Sequence, residues 1–578
     1  TNRLSAVGAV LQDRGIGQIK RSALRKALQG SFTAGIIGML EHEREASEHE
    51  REASEHEGLY GSAWRWMLTL ACLRNIGIDE GVSARDIGKL AIENGIHGNH
   101  GINSPHQELF SIPEMASLSE DALLAGHREL SPSSILSRIA SKHRASIVDP
   151  WAHILSEDIG SCFEVVAEAR PTLVDGVVEL THKSDRRDSG VHHTPFDVTE
   201  RMVDISFEKK GVSDNGVPTP FVICDLAVGA GAFLIQATRI LANMFHGSKS
   251  TEEILDEHII GFDIDEDSIR VAHLCLHLEA GCPNTSPTFN LYQIDSIGEQ
   301  QSREFIQGKI KLMSPESKGV SDVTIGNPPY VQYNQDVRGK FQQMGYSTAG
   351  TNNLSAIFLE QALEITEIGG VVCQILPISI VQAAKMEAAR SLLISRSSEI
   401  SIEAFDCVPG YIFDQGKIGS NSNRSITRQV AIVSSVRGGS DEEMIVNISR
   451  MVRWASSERD ELFGSVETVD LPADCRRGNR FPMLGDSEAV RNYRHLLGLD
   501  RTISNLYGSG KPRLFIPKAV RYFITGVPTS LGRQNELELR FDDVFSRDLV
   551  MVVINSSFFY WYWKVVGNGF QVNLSEVS

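Results

Sequence analysis

From residue 221 onward the chain alternates between two textures. "FVICDLAVG" is an apolar run ending at a turn, "AFLIQATRILANMF" has helical apolar spacing, "HIIGFDID" reads as a second strand, "DSIRVAHLCLHLEAG" as a helix and "TFNLYQID" as a third strand. "SDVTIG", the helix "LSAIFLEQALEITEIGG" and the strand "VVCQILPIS" continue the series. Strands separated by helix-length segments pair in parallel through crossover helices, which predicts an α/β fold with a doubly wound sheet. In such sheets ligands bind beyond the carboxyl ends of the strands.

Those ends carry a consistent set of residues. The turn "DLAVGAGAFL" (225–234) follows the first strand and opens a helix. Gly229 and Gly231 allow a sharp turn and close approach of a ligand near the positive end of that helix. The spacing is looser than the dinucleotide fingerprint and is weak by itself. Asp263 ends the next strand, where a carboxylate can accept both hydroxyls of a ribose. Asp295 ends the third and can reach a base edge or an exocyclic amine. A lone strand-end Asp is most often a cap or a turn former; three at successive strand ends, Asp225 before the glycine turn and Asp263 and Asp295 after it, carry more weight.

The fourth strand runs into "NPPYVQYN". Two prolines fix φ twice and remove two donors, so neither helix nor central strand continues through them. The exocyclic amine of a purine is a poor nucleophile because its lone pair is delocalised into the ring. A side-chain carbonyl from Asn327 and a main-chain carbonyl fixed by Pro328 can accept its two hydrogens and redirect that lone pair. Pro329 stiffens the corner and Tyr330 offers a stacking face.

On these motifs the chain resembles the S-adenosylmethionine-dependent amino-methyltransferases, and most closely the N6-adenine DNA methyltransferases of restriction-modification systems. "RRDSGVHHTPFDVTERMVD" (186–204) is similar to the segment that precedes the glycine turn in the subgroup ordered cofactor motif, catalytic motif, target recognition domain. The likeness is detailed over about 185–440. It implies a Rossmann-like methyltransferase sheet with S-adenosylmethionine as cofactor and no metal for methylation. Thr194 and Pro195 would line the methionine end of the cofactor, and the turn with Asp225, Ala227, Gly229, Gly231 and Phe233 its methionine moiety. Asp263 would take the ribose and Asp295 the adenine amine. Asn327, Pro328, Pro329 and Tyr330 would hold an extruded target adenine, with Phe413 as the second stacking ring and Tyr411 its rival. The sequence departs from the family at Leu226, Val228 and Ala230, where Pro, Cys and Ser are usual, and at His193, where an aromatic is commoner.

Charge and composition set the surroundings. A hydrophobic fraction of 41% and a charged fraction of 22% belong to a globular protein. With no long apolar run and no leader-like start, the expectation is a cytoplasmic protein, associated with the nucleoid of a prokaryote. Eight cysteines without a C-x-x-C pair predict reduced, mostly buried thiols and neither a zinc site nor a disulfide framework. The net charge of −18 is hostile to nucleic acid, but it is unevenly spread. Residues 41–57 hold eight Glu against two Arg, whereas 471–578 hold fourteen Lys/Arg against ten Asp/Glu. Arg476, Arg477, Arg480, Lys511, Arg513, Lys518 and Arg521, with Arg338 and Lys340 in the loop after the catalytic turn, are the candidate contacts to double-stranded DNA. Each taken singly is most often a solvated surface charge.

Three regions follow: a mainly helical 1–185 containing a heptad Glu-rich repeat at 42–57, a catalytic domain over 186–440, and an α+β target recognition domain over 441–578, expected to be truncated. The repeat has no large apolar position for a coiled-coil seam and reads as a solvated spacer. The run Phe558 to Trp563 reads as a buried core helix before a base-stacking platform. Further partners implied by the resemblance are a separate restriction nuclease or a specificity subunit. A fused nuclease is the first rival reading, but 1–190 contains no acid-x-Lys element. A protein-glutamine methyltransferase shares the "NPPY" chemistry without needing a basic region or a Thr-Pro segment. A DNA-binding subunit whose altered glycine turn no longer holds cofactor is the non-enzymatic alternative.

Overall fold

The computed structural model describes residues 169–174, 177–182, 194–212, 216–218, 220–280, 289–407, 409–413, 429–438, 444–520, 523–567 and 571–577. The repeat at 42–57, most of the helical region expected before 186, His193 and Arg521 lie outside them. At the end of that region the described backbone is a hairpin, β1 (Ala169–Val174) antiparallel to β2 (Val177–His182). The chain divides into two compact units. The first holds Thr1–Glu200, Ser213–Asp295 and Gln415–Ser422, and the second Arg201–Val212, Ser296–Asp414 and Asn423–Ser578.

After helix α1 (Phe196–Lys210), the first unit builds a parallel trio: β3 (Ile223–Asp225), β4 (Ile259–Asp263) and β5 (Asn290–Gln293), in that spatial order. Helices α2 (Ala232–Met244), α3 (Thr251–His258) and α4 (Glu266–Glu279) fall between them in sequence. The apolar face of α2 buries Phe233, Leu234, Ile235 and Leu241. A capping box starts α3: the Glu253 N–H donates to Ser250 Oγ and the Ser250 N–H to Glu253 Oε2. Such reciprocal caps satisfy donors that a helix start otherwise leaves open and contribute about 1 kcal/mol.

The second unit continues with α5 (Gln300–Met313), β6 (Ser321–Gly326), α6 (Gln335–Gln343), α7 (Leu354–Ile365), β7 (Thr366–Pro377), the short α8 (Ser379–Gln382), α9 (Glu387–Arg396), β8 (Ser397–Phe405), β9 (Val430–Arg437) and β10 (Ile445–Val452). β6 and β7 are parallel, as are β8 and β10. The α/β architecture of mostly parallel strands is the one anticipated, with one amendment. β9 runs antiparallel to both β7 and β8 and separates them. Ion pairs fasten α1 to this sheet: Arg201 to Glu403, Lys209 to Glu399, and Lys210 to Glu367 and, at 2.9 Å, Asp322.

The sheet runs on past residue 440, since β10 pairs with β8 and β11 (Thr468–Asp470) with β10. Beyond α10 (Ser487–Leu497), an antiparallel pair β12 (Arg513–Pro517) and β13 (Glu536–Arg540) packs with α11 (Val544–Ile554), α12 (Ser557–Val566) and α13 (Leu574–Val577). Leu514, Ile516, Phe541, Ile554, Phe559 and Trp563 share one apolar core there, an α+β ending to the chain. The aromatic run of α12 is thus part core, with Phe559 and Trp563 buried, and part surface, with Phe558 exposed. Cys224, Cys275, Cys373, Cys407 and Cys475 are free and buried, as expected. Among the described residues no single helix is long and apolar enough to cross a membrane.

Candidate active site

The glycine turn is closed from inside. Asp225 is fully buried at the end of β3, and its Oδ1 accepts the Ala227 N–H at 2.9 Å. The Val228 N–H donates to the Phe262 carbonyl and the Gly231 N–H to the Val228 carbonyl. Gly229 and Gly231 have φ of 54° and 87°, a left-handed backbone that side-chain-bearing residues rarely adopt. Gly231 is the N-cap of α2 and offers no side-chain cap, so the first amides of that helix are not taken up by one. Phe233 is buried in the core beneath the turn.

Asp263 ties this turn to the next strand. Its Oδ2 accepts the Gly229 N–H and its Oδ1 the Asp265 N–H, each at 2.9 Å. An ionised carboxylate accepts several hydrogen bonds at once, which suits it to bridging a turn and a strand end. Gly261 makes the close packing behind it feasible: a Cβ there would lie 2.4 Å from Val228 Cγ2. Beside Asp263, Ile264 is 67% exposed, an aliphatic surface at a strand tip. Asp295 is exposed just beyond β5, and the Ile294 N–H donates to the Asp263 carbonyl at 2.7 Å. Thr194 and Pro195 are buried, and the Pro195 carbonyl accepts the Val198 and Thr199 amides that begin α1. Acceptors for ribose hydroxyls and an amine, an apolar plate and a side-chain-free turn are the donor set a nucleoside cofactor such as S-adenosylmethionine requires. Sequence reading passed over Ile264, whose signal is its exposure alone.

The turn at 327–330 belongs to the second unit. Every residue of β6 is buried. Asn327 is half-buried with its amide Oδ1 shielded from solvent, and Pro328 is buried behind it. Tyr330 is only 1% exposed; its hydroxyl donates to the Ile375 carbonyl of β7 at 2.9 Å. The exit is pinned as well: the Leu354 N–H donates to the Val331 carbonyl, and Asn353 caps α7 through the Ser355 N–H. The corner is therefore fixed at both sides, as two adjacent prolines require.

Phe413 lies 6.4 Å from Tyr330, ring centre to ring centre, and 5.6 Å from Tyr411. Both proposed stacking rings and their rival thus form one cluster. Tyr330 and Phe413 are inclined at 58°, so a flat base entering between them requires one ring to turn.

The basic candidates lie in varied settings. Lys340 is exposed and Arg338 half-buried on α6. Arg476 approaches Met444 Sδ, and burial draws its guanidinium below the ordinary range. Arg477 donates to the Leu497 carbonyl at the end of α10, a helix-capping bond. Lys511 is exposed and Arg480 and Lys518 are half-buried, while Arg513 faces Glu538 at 3.5 Å. A fourth strand-end acid, Asp406 after β8, had gone unread; its partners come from three distant segments.

These features define a class: an α/β protein of mostly parallel strands, with a glycine-rich turn at the end of one strand and a proline-stiffened amide corner at the end of another. Residues 257–408 match the family model described as Eco57I restriction-modification methylase. The span includes Asp263, Asp295 and the catalytic turn and begins after the glycine turn. No curated protein matches the chain. Among solved structures, a DrdV–DNA complex is 14% identical at a TM-score of 0.46, covering 82% of this chain and 48% of that one. The ATP-dependent Type ISP restriction-modification enzyme LlaBIII bound to DNA is 13% identical at 0.44, over 86% and 34%. A modification subunit of a putative type I restriction enzyme from Vibrio vulnificus YJ016 is 14% identical at 0.42, over 77% and 92%. With TM-scores this low none of them bears on function, and the chain spans half or less of the first two.

Proposed function

We propose that the chain is the methylating part of a restriction-modification system: a cytoplasmic, site-specific DNA methyltransferase that uses S-adenosylmethionine and acts on N6 of adenine. The observation that carries this reading is the Asn327-Pro328-Pro329-Tyr330 corner at the end of a wholly buried strand, inside the span that matches the methylase family.

When bound, S-adenosylmethionine supplies an electron-poor methyl group. The chain's own residues do the rest. Asp263 would accept the ribose hydroxyls and Asp295 the cofactor's amine, and exposed Ile264 would offer its purine an apolar surface. The Asn327 amide oxygen and the Pro328 carbonyl accept the two hydrogens of the target amine, which frees its lone pair for in-line attack without a strong general base. Burial of the corner removes water that would compete for the same hydrogens. N6 cannot be reached inside a duplex, so the adenine is swung out at a cost of a few kcal/mol in lost stacking. Contacts from the C-terminal basic residues to the phosphates offset that loss.

The test is transfer of tritium from labelled S-adenosylmethionine to unmethylated DNA, followed by digestion to nucleosides. Label in N6-methyldeoxyadenosine is the expected result. Label in a cytosine derivative would correct the target base, label in protein would favour the glutamine-amide reading, and none in either would sink the proposal.

A further inference from the structure

Asp406 sits where β8 gives way to the loop bearing Tyr411 and Phe413, and it is 3% exposed. Its Oδ1 accepts the Gln429 amide at 2.7 Å and the Cys407 N–H at 2.8 Å. Its Oδ2 accepts Arg453 Nε from the end of β10 and, at 3.0 Å, Lys564 Nζ from α12. Further along the loop, the Arg459 guanidinium donates to the Ile412 carbonyl at 2.8 Å and to the Tyr411 carbonyl at 3.4 Å. The Gly410 N–H donates to the Trp454 carbonyl, and a Cβ on Gly410 would stand 2.4 Å from the Trp454 indole nitrogen. Residues 409–413 are thereby held at their root and along their backbone. Apart from Gln429 and the loop's own Cys407, those partners follow residue 441.

We propose that Asp406, clasped by Lys564 and Arg453, is a positioning residue for base capture: it sets the Phe413 loop beside Tyr330 and makes that pose depend on helix α12. The inference rests on the reading of the corner at 327–330 and Phe413 as the base pocket. Its electrostatics fit a permanent clasp. Burial works against charge on Asp406, but Lys564 beside it and the bonds from Gln429 and Arg453 outweigh burial and hold its carboxyl below the usual range. Burial draws Lys564 below the ordinary lysine range, which the attraction of Asp406 only partly offsets. A lysine kept charged while half sheltered, over the faces of Tyr560 and Trp563, is sensitive to any shift of α12. Gln382 strengthens the linkage, since its amide donates both to the Phe481 carbonyl and to the Val565 carbonyl of α12.

The experiment compares the full chain with Lys564→Met, Lys564→Arg and Arg459→Gln. It reads deuterium exchange over residues 409–413, tritium transfer to unmethylated DNA and calorimetric affinity for S-adenosylmethionine. Lys564→Met is expected to speed exchange in the loop and lower turnover by about tenfold each, with cofactor affinity within about twofold of the parent. Lys564→Arg should restore both. Should Lys564→Met fail to fold, Arg459→Gln, which leaves the buried clasp intact, should loosen the same loop and lower turnover. Loop exchange unchanged in the folded variants overturns the proposal, as does loss of cofactor affinity in step with turnover. A parent chain that labels no DNA overturns the base-pocket reading itself and is told apart by being seen without any substitution.

Discussion

At the scale of single residues, the chemistry turns on which atoms already have a structural task. Asn327 presents a buried amide oxygen, so Asn327→Ala is expected to lower methyl transfer by at least about a hundredfold while cofactor affinity stays within about twofold. Paired turnover and calorimetry measure both. Tyr330 is different, because its hydroxyl is engaged with the Ile375 carbonyl. Tyr330→Phe keeps the ring but strands a buried acceptor, and thermal unfolding should report about 1–2 kcal/mol lost with transfer largely retained. Asp406 has a folded pKa below its unfolded value. Its stabilising contribution is therefore complete above about pH 3.9 and is lost only as pH falls through the lower, folded value. Acid titration followed by near-ultraviolet dichroism of the Tyr411–Phe413 cluster should show a step below the ordinary aspartate range, and Asp406→Asn should remove it. The strand-end positions of Asp263 and Asn327 were legible in the sequence because each follows a short strand-like run that stops at a turn. The clasp on Asp406 was not, since its lysine lies 158 residues away and no local pattern links the two.

At the scale of elements, the glycine turn shows what a short motif can and cannot specify. Its two left-handed positions follow from "GAG", and the strand before it and the helix after it are set by apolar spacing. What the motif does not reveal is that Asp263, thirty-four residues on, fastens the turn by accepting the Gly229 N–H. Gly231→Ala would place a methyl 3.3 Å from the Ala272 Cβ on a backbone at φ 87°. Strain of about 1–2 kcal/mol is expected, together with weaker binding of S-adenosylmethionine, read by denaturant unfolding and by calorimetry. Strand direction was the other hidden quantity. Alternation of strands and helices argues for parallel pairing, and β3 to β5 obey it. β9 is antiparallel to both its neighbours, because the direction of a strand depends on where its connection lands.

At the scale of the whole chain, β9 lies between two strands that both precede it in sequence. Until Val430–Arg437 is in place, β7 keeps one unpaired edge and β8, whose partners β9 and β10 both follow it, keeps two, and such edges template association. A chain ending at 429 is expected to collect in the insoluble fraction, whereas the chain through 578 remains dispersed, as sedimentation of the two products would show. Translation supplies the same situation transiently. The corner at 327–330 leaves the ribosome roughly a hundred residues before the strand that closes the sheet. For that interval the nascent chain has its corner complete but its scaffold open, and aggregation during synthesis is expected to be greatest then.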